Sequence, residues 1–214
     1  MSRSAYEKIA ALAVEYANKL DERVCERMEE MRSDDNSHYL IYRVLGIADA
    51  EGRLIDAYQN KGRFLYKYAG SFLEAAATIC MQEKFPAARR KVKIPNTSGG
   101  RPKTFEIDCL VDHFAHEIKW RDATTDGDHI TKEHTRARVI KDKGYTPVRV
   151  MFYYPNRGQA QKIQDALQTL YKGFDGIYYY GDAAWDYIRS FTGVDLLGIL
   201  EEIADARRRS DAGN

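Results

Sequence analysis

The sequence predicts an α/β fold, a small mixed central sheet flanked by helices with a helical region at the N-terminal side. Three observations carry that reading. Apolar residues recur at helical spacing through the first half of the chain. Two short segments rich in β formers then stand two residues apart, FEIDCLV (105–111) and FAHEIKW (114–120). Beyond them, helix-like and strand-like segments alternate to the end.

The elements follow in order. Ile9, Leu12, Ala13, Tyr16, Leu20, Val24 and Met28 keep close to a 3.6-residue period, so residues 3–32 form a helix that SDDN (33–36) stops. A short helix over His38 to Leu45 and a third starting near Ala50 come next. A long helix from about Arg63 to Lys84 is ended by Phe85-Pro86. PNTSGGRPK (95–103) is a glycine- and proline-rich loop. After the paired strands come a helix over roughly 128–143, a strand PVRVMFYY (147–154) and a helix over 157–172. A strand GIYYY (176–180) and two closing helices in 182–208 complete the chain. In Tyr178-Tyr179-Tyr180, a core strand with one exposed ring is favoured over a base-stacking platform.

Composition narrows the function. With 214 residues, 44% hydrophobic and 30% charged, the chain suits one sizeable globular domain. No 18 consecutive apolar residues occur, and the first 30 hold no apolar stretch of signal-peptide length, so the expected location is cytoplasmic with no membrane partner. Cys25, Cys80 and Cys109 are too far apart and too few for a disulfide framework or a zinc site. Net charge is only +1, but Lys84, Arg89, Arg90, Lys91, Lys93, Arg101 and Lys103 form a basic run without one acid. Such a run suits a phosphate backbone, although a solvated basic loop would look the same.

The chemistry lies in the paired strands. A turn centred on Asp112-His113 pairs residues whose numbers sum to 225, which sets Asp108 opposite Glu117 and Glu106 opposite Lys119 on one face. The other face carries Phe105, Ile107, Cys109 and Val111 against Phe114, His116, Ile118 and Trp120. Two carboxylates about 5 Å apart repel by roughly 3 kcal/mol at an effective dielectric constant of about 20. Full solvation or a cation must relieve that. Mg²⁺ is the natural cation, since it prefers hard oxygens and often takes only one or two carboxylates plus waters. The competing reading is a solvated face with a Glu106–Lys119 salt bridge. Because the acids project from a polar face, their removal should leave thermal stability unchanged or slightly raised.

Asp108 followed by Glu117-Ile118-Lys119 resembles the PD-(D/E)xK nuclease motif, and the type II restriction endonucleases within it. Ile107 stands where the motif has proline, and the spacing from Asp108 to Glu117 is short. The resemblance implies a restriction-endonuclease-like core of α-β-β-β-α-β order over 63–154. Residues 1–62 would be a helical N-terminal region and 155–214 a C-terminal α/β extension, all within one nuclease domain. It implies Mg²⁺, with Mn²⁺ as substitute, held by Asp108, Glu117 and the Ile118 carbonyl, with Lys119 orienting the attacking water. YKYAGSFLEAAATIC (66–80) resembles the superfamily's first core helix, whose supporting acid would be Glu74. The bland alternative puts Glu74 in a solvated stripe with Lys67, Ser71, Thr78 and Gln82. YQNKGRFLYKYAGSFLE and EIKWRDATTDGDH resemble the ApaLI-like family.

WRDATTDGDHITKEHTRAR (120–138) mixes donors and acceptors suited to base edges. Arg121, Thr124, Thr125, Asp126, Asp128, His129, Lys132 and Arg136 are the candidate base contacts. Arg90, Lys93, Arg101 and Lys103, in a loop over 89–103, are the candidate backbone contacts. His129 and His134, five apart, do not share a helical face and read as polar contacts rather than metal ligands. Cutting both strands of double-stranded DNA implies a homodimer, and a cognate DNA methyltransferase in the same cell. A repair or junction-resolving nuclease, and an inactive DNA-binding module on the same fold, are the alternatives.

Overall fold

In the computed structural model, residues 3–121, 124 and 126–211 are described. Helices α1 (Arg3–Arg32), α2 (Tyr39–Val44) and α3 (Asp49–Lys84) precede the sheet. Strands β1 (Arg89–Pro95), β2 (Thr104–Val111) and β3 (Phe114–Arg121) follow, then α4 (Asp128–Asp142) and β4 (Thr146–Tyr153). The order closes with α5 (Gly158–Gly173), β5 (Ile177–Tyr180), α6 (Asp182–Thr192) and α7 (Leu196–Asp211). Contacts divide the chain into two compact units, one of the residues up to Ala10 and from Leu73 onward, the other of Ala11–Phe72.

The first unit holds a five-stranded mixed sheet in the order β1-β2-β3-β4-β5. β1, β2 and β3 are antiparallel neighbours; β4 and β5 join in parallel, with α4 and α5 as the crossovers. β4 lies between β3 and β5 and is buried from Pro147 to Phe152, where every residue but Arg149 is apolar, as in a strand covered on both faces. α6 covers one face, where Trp185 packs on Phe152 and Tyr187 stacks on Tyr179. Tyr178 and Tyr179 are part-buried and Tyr180 is the exposed ring, as expected. All three cysteines are free, Cys25 exposed and the other two buried.

Two elements differ from the expectation. The third helix and the long helix are one, α3, because nothing between Asp49 and Lys84 breaks it. Gly62 alone costs a helix only about 1 kcal/mol. Residues 89–95 are not loop but the edge strand β1, paired with β2 from Arg89↔Leu110 to Pro95↔Thr104. Only the segment between β1 and β2 is loop.

The second unit packs Tyr16 of α1 edge-on against Tyr68 and Phe72 of α3. Tyr39 and Tyr42 of α2 close on α3 where Gly52 lacks a side chain; a Cβ there would lie 2.7 Å from the Tyr42 ring. Tyr42 also donates to Asp56 at 2.8 Å.

Candidate active site

The hairpin has the expected register. Val111 pairs with Phe114, Leu110 with Ala115 and Cys109 with His116. The ladder then stops. Where Asp108 would face Glu117, the Asp108 carboxylate accepts the Ile118 backbone N–H at 2.7 Å instead. A side chain thus replaces a main-chain acceptor, and the strands part with both acids between them. β3 continues in register with β4, setting Glu117 beside Arg149.

On the other strand flanking β2, the residue opposite this gap is Lys91. It is missing from the otherwise continuous β1–β2 pairing and has φ +50°, uncommon for a non-glycine residue. The expected division of faces also fails here. Cys109 and His116 lie as foreseen, with His116 Nε2 2.7 Å from the Tyr187 hydroxyl of α6. Phe105 and Ile107, expected on that same side, instead share a core cluster with Leu110, Ala115, Val139 and Ile140.

Neither acid is solvated. Asp108 and Glu117 are 8% and 3% exposed. Burial, then the negative charge of Glu117, push the Asp108 carboxyl up to about 7; Lys119 and the Ile118 amide oppose this, and Glu74 adds to the rise. Burial opposes the Glu117 charge as well, but Lys119, Arg136 and Arg149 outweigh it and hold that carboxyl low. Lys119 stays protonated because Glu117 and Asp108 override its own burial.

Glu117 is gripped by Lys119 and by Arg136 of α4. Arg136 also reaches Glu133 at 3.5 Å; Glu133 pairs with the fully buried Arg149 at 3.1 Å and accepts from the Tyr171 hydroxyl at 3.3 Å. A chain of alternating charges therefore runs from the hairpin into the core beneath α4 and α5. The alternative Glu106–Lys119 bridge is not formed. Glu106 faces Lys91 at 3.8 Å, and Lys91 lies 3.8 Å from Glu74. Nor is Glu74 on a solvated stripe, since its own side chain is only 23% exposed and its neighbour Thr78 is buried.

The sequence-predicted site residues fall into three groups. Asp108, Glu117, Lys119 and Glu74 come together as expected, by contact or by mutual charge. Arg136, a candidate base contact, joins them through Glu117. The remaining described candidates lie mostly at the surface. Arg90 and Lys93 project from β1, and Arg101 and Lys103 are exposed in the loop. Arg121 ends β3. Asp126 accepts the Asp128 amide at 3.0 Å, and its own amide donates to Thr124 at 3.2 Å, at the start of α4. His129 is part-buried and Lys132 exposed; Thr125 lies outside the described residues.

Sequence reasoning missed Lys91, Glu133 and Arg149 as members of the cluster. A lone arginine inside PVRVMFYY was the available signal, because a buried arginine requires a buried acid.

Among the described residues, no group of three or more His, Cys, Asp or Glu side chains is disposed to hold a metal ion. The donor chemistry still fits Mg²⁺, which needs only one or two carboxylates and completes its shell with water. Asp108, with its charge disfavoured by Glu117, is the kind of oxygen ligand that a divalent cation would relieve.

Compared with known proteins, the chain matches one family model, described as ApaLI-like restriction endonuclease, over residues 1–205. No curated protein and no solved structure matches it.

Proposed function

Because the chain belongs to the ApaLI-like restriction endonuclease family, we propose that it is a type II restriction endonuclease hydrolysing phosphodiester bonds of double-stranded DNA at a short specific sequence. The observation that supports this most is the parting of β2 and β3 around Asp108 and Glu117, with Lys119 salt-bridged to the second acid. In this reading Asp108, Glu117 and the Ile118 carbonyl hold Mg²⁺, for which Mn²⁺ substitutes. When bound, the ion supplies a Lewis acid that polarises the scissile phosphate and acidifies water. Lys119 orients the attacking water and offsets charge on the phosphate. Glu74 sets the field at Asp108. Arg136, tethered by Glu117 and Glu133, is placed to meet a phosphate oxygen with a fork of donors.

The 121–138 segment would read base edges, and Arg90, Lys93, Arg101 and Lys103 would follow the backbone. A cut in both strands needs two such sites, hence a two-fold homodimer. A companion methyltransferase would protect host DNA without being a subunit.

The test is incubation with phage or genomic DNA in Mg²⁺, in Ca²⁺ and in EDTA, followed by sequencing of the fragment ends. Fragments with one shared terminal sequence, formed in Mg²⁺ alone, are the expected result. Ends without any common sequence would remove the restriction reading. Cleavage undiminished by EDTA would remove the metal.

A further inference from the structure

α2 and the first part of α3 leave a large apolar surface uncovered. The exposed apolar residues are Leu40, Ile41 and Val44 on α2, with Leu45 at its C-cap; on α3 they include Leu54, Ile55, Tyr58 and Leu65. Val44, Leu45 and Tyr58 are each at least 70% exposed. The spacing is that of single faces: positions i, i+1 and i+4 on α2, and i, i+1, i+4 and i+11 on α3. α1 covers α3 at Tyr68 and Phe72, whereas Leu54, Ile55, Tyr58 and Leu65 stay exposed.

Scattered apolar residues at a surface are ordinary, but eight large ones left exposed on two segments that pack together mark a contact. An aromatic side chain buries roughly 150–250 Å² and the aliphatic ones fall at the lower end of that range, so these eight, 43–73% exposed, offer on the order of 800 Å². A standard stable interface takes about 800 Å² from each partner. The surroundings carry both signs, Arg43 with Asp49 and Arg53 with Glu51, which suits a surface meeting its own copy. They do not suit DNA, which calls for unopposed positive charge.

We propose that the α2–α3 face is the interface between two copies of this chain, formed isologously across a two-fold axis. The choice of a second copy rests partly on the restriction-endonuclease reading, because double-strand cleavage needs two sites. The face itself is observed independently of that reading.

Mass measurement by sedimentation or light scattering at micromolar protein tests this without any cleavage assay. The parent should weigh about twice 24.6 kDa. Val44→Glu with Leu45→Glu, and separately Leu54→Glu with Tyr58→Glu, should weaken the dimer at least about thirtyfold. These positions are solvent-facing, so circular dichroism should show both variants folded. A monomeric parent overturns the proposal, as does a dimer that survives both pairs of substitutions. A monomeric parent whose DNA affinity falls in these variants would assign the face to DNA instead. A monomer that cuts DNA would refute the interface and leave the nuclease; a dimer that never cuts would do the reverse.

Discussion

The carboxylate of Asp108 takes the backbone N–H of Ile118 at 2.7 Å, so a side chain does in this hairpin what a main-chain carbonyl does elsewhere in it. The bond ties the position of one acid to the backbone that carries the next. Asp108→Asn keeps an oxygen to accept that amide and loses the charge; Asp108→Ala loses both. Both should reduce cleavage by more than the 10–100-fold typical of residues that merely support a metal ligand. Only the alanine variant should be destabilised in EDTA, by roughly the 1–3 kcal/mol of an unsatisfied buried donor, and so melt at a lower temperature. Equal melting temperatures for the two would mean the bond contributes nothing.

Glu117→Ala should destabilise the protein, contrary to what the sequence suggests. On a solvated face, removing one of two facing acids relieves repulsion. Here it strands Lys119 and Arg136 beside a core. Breaking a fully buried pair costs about 3–5 kcal/mol, and both cations keep some access to water, so about 2–3 kcal/mol is expected. Urea denaturation in EDTA measures it, with Glu117→Ala/Arg136→Leu recovering part of the loss. A single variant as stable as the parent would contradict the cluster.

Arg149→Leu should be costlier still, about 3–5 kcal/mol, since it leaves Glu133 charged and buried with only Tyr171 and Arg136 for company. Arg149→Leu with Glu133→Leu should be closer to the parent than Arg149→Leu alone. The same denaturation curves decide this, and a more damaging double variant would refute the pairing.

In metal-free buffer Asp108 should make stability depend on pH. Its carboxyl sits near 7 against an ordinary 3.8, because of burial first and Glu117 second. The folded protein therefore keeps a proton that the unfolded chain releases. That contribution is fully present below about pH 4 and is lost as pH rises through about 7. His116, pushed down to about 4 by burial, acts in the opposite sense between its folded value and 6.5. Subtracting the parent's curve from that of Asp108→Asn removes the histidine. The difference should grow in favour of the variant from about pH 5 to about pH 8. A difference that does not change with pH would place the Asp108 carboxyl in the ordinary range.

Arg136→Ala should lower the cleavage rate while leaving the ratio of cognate to scrambled affinity unchanged, because Glu117 and Glu133 hold its guanidinium at the acids of the hairpin, where the proposed function has it meet a phosphate and not a base edge. Arg121→Ala and Lys132→Ala should lower that ratio by the roughly 1–3 kcal/mol of a base contact. Arg90→Ala and Lys103→Ala should weaken both duplexes alike and flatten the salt dependence. Titrations at several salt concentrations separate the three outcomes.

How much of this could be read in the sequence follows from the range of each interaction. The pairing of Cys109 with His116 follows from counting residues across a turn, and the elements after Asp128 from short apolar runs alternating with helix-like segments; both are local. β1 was hidden because RRKVKIP has only two apolar residues in alternation, Val92 and Ile94, among four basic ones that read as a loop. An edge strand half in water needs no more, and its charges protect the edge from further pairing. The burial of Glu117 depends on Arg136 and Arg149 arriving from α4 and β4, contacts between segments that no pattern inside the hairpin encodes.

The charges around Asp108 also sum in a particular way. Asp108, Glu117, Glu133, Glu74 and Glu106 stand against Lys119, Arg136, Arg149 and Lys91, five acids against four bases. While Asp108 holds its proton such a centre is balanced, and a divalent ion that displaced that proton would leave one positive charge in excess. Under the proposed function the scissile phosphodiester brings the one negative charge that restores neutrality. Cation and DNA would then bind with mutual reinforcement, each raising the affinity of the other by the same factor. The protein would stay unloaded until its substrate is in place.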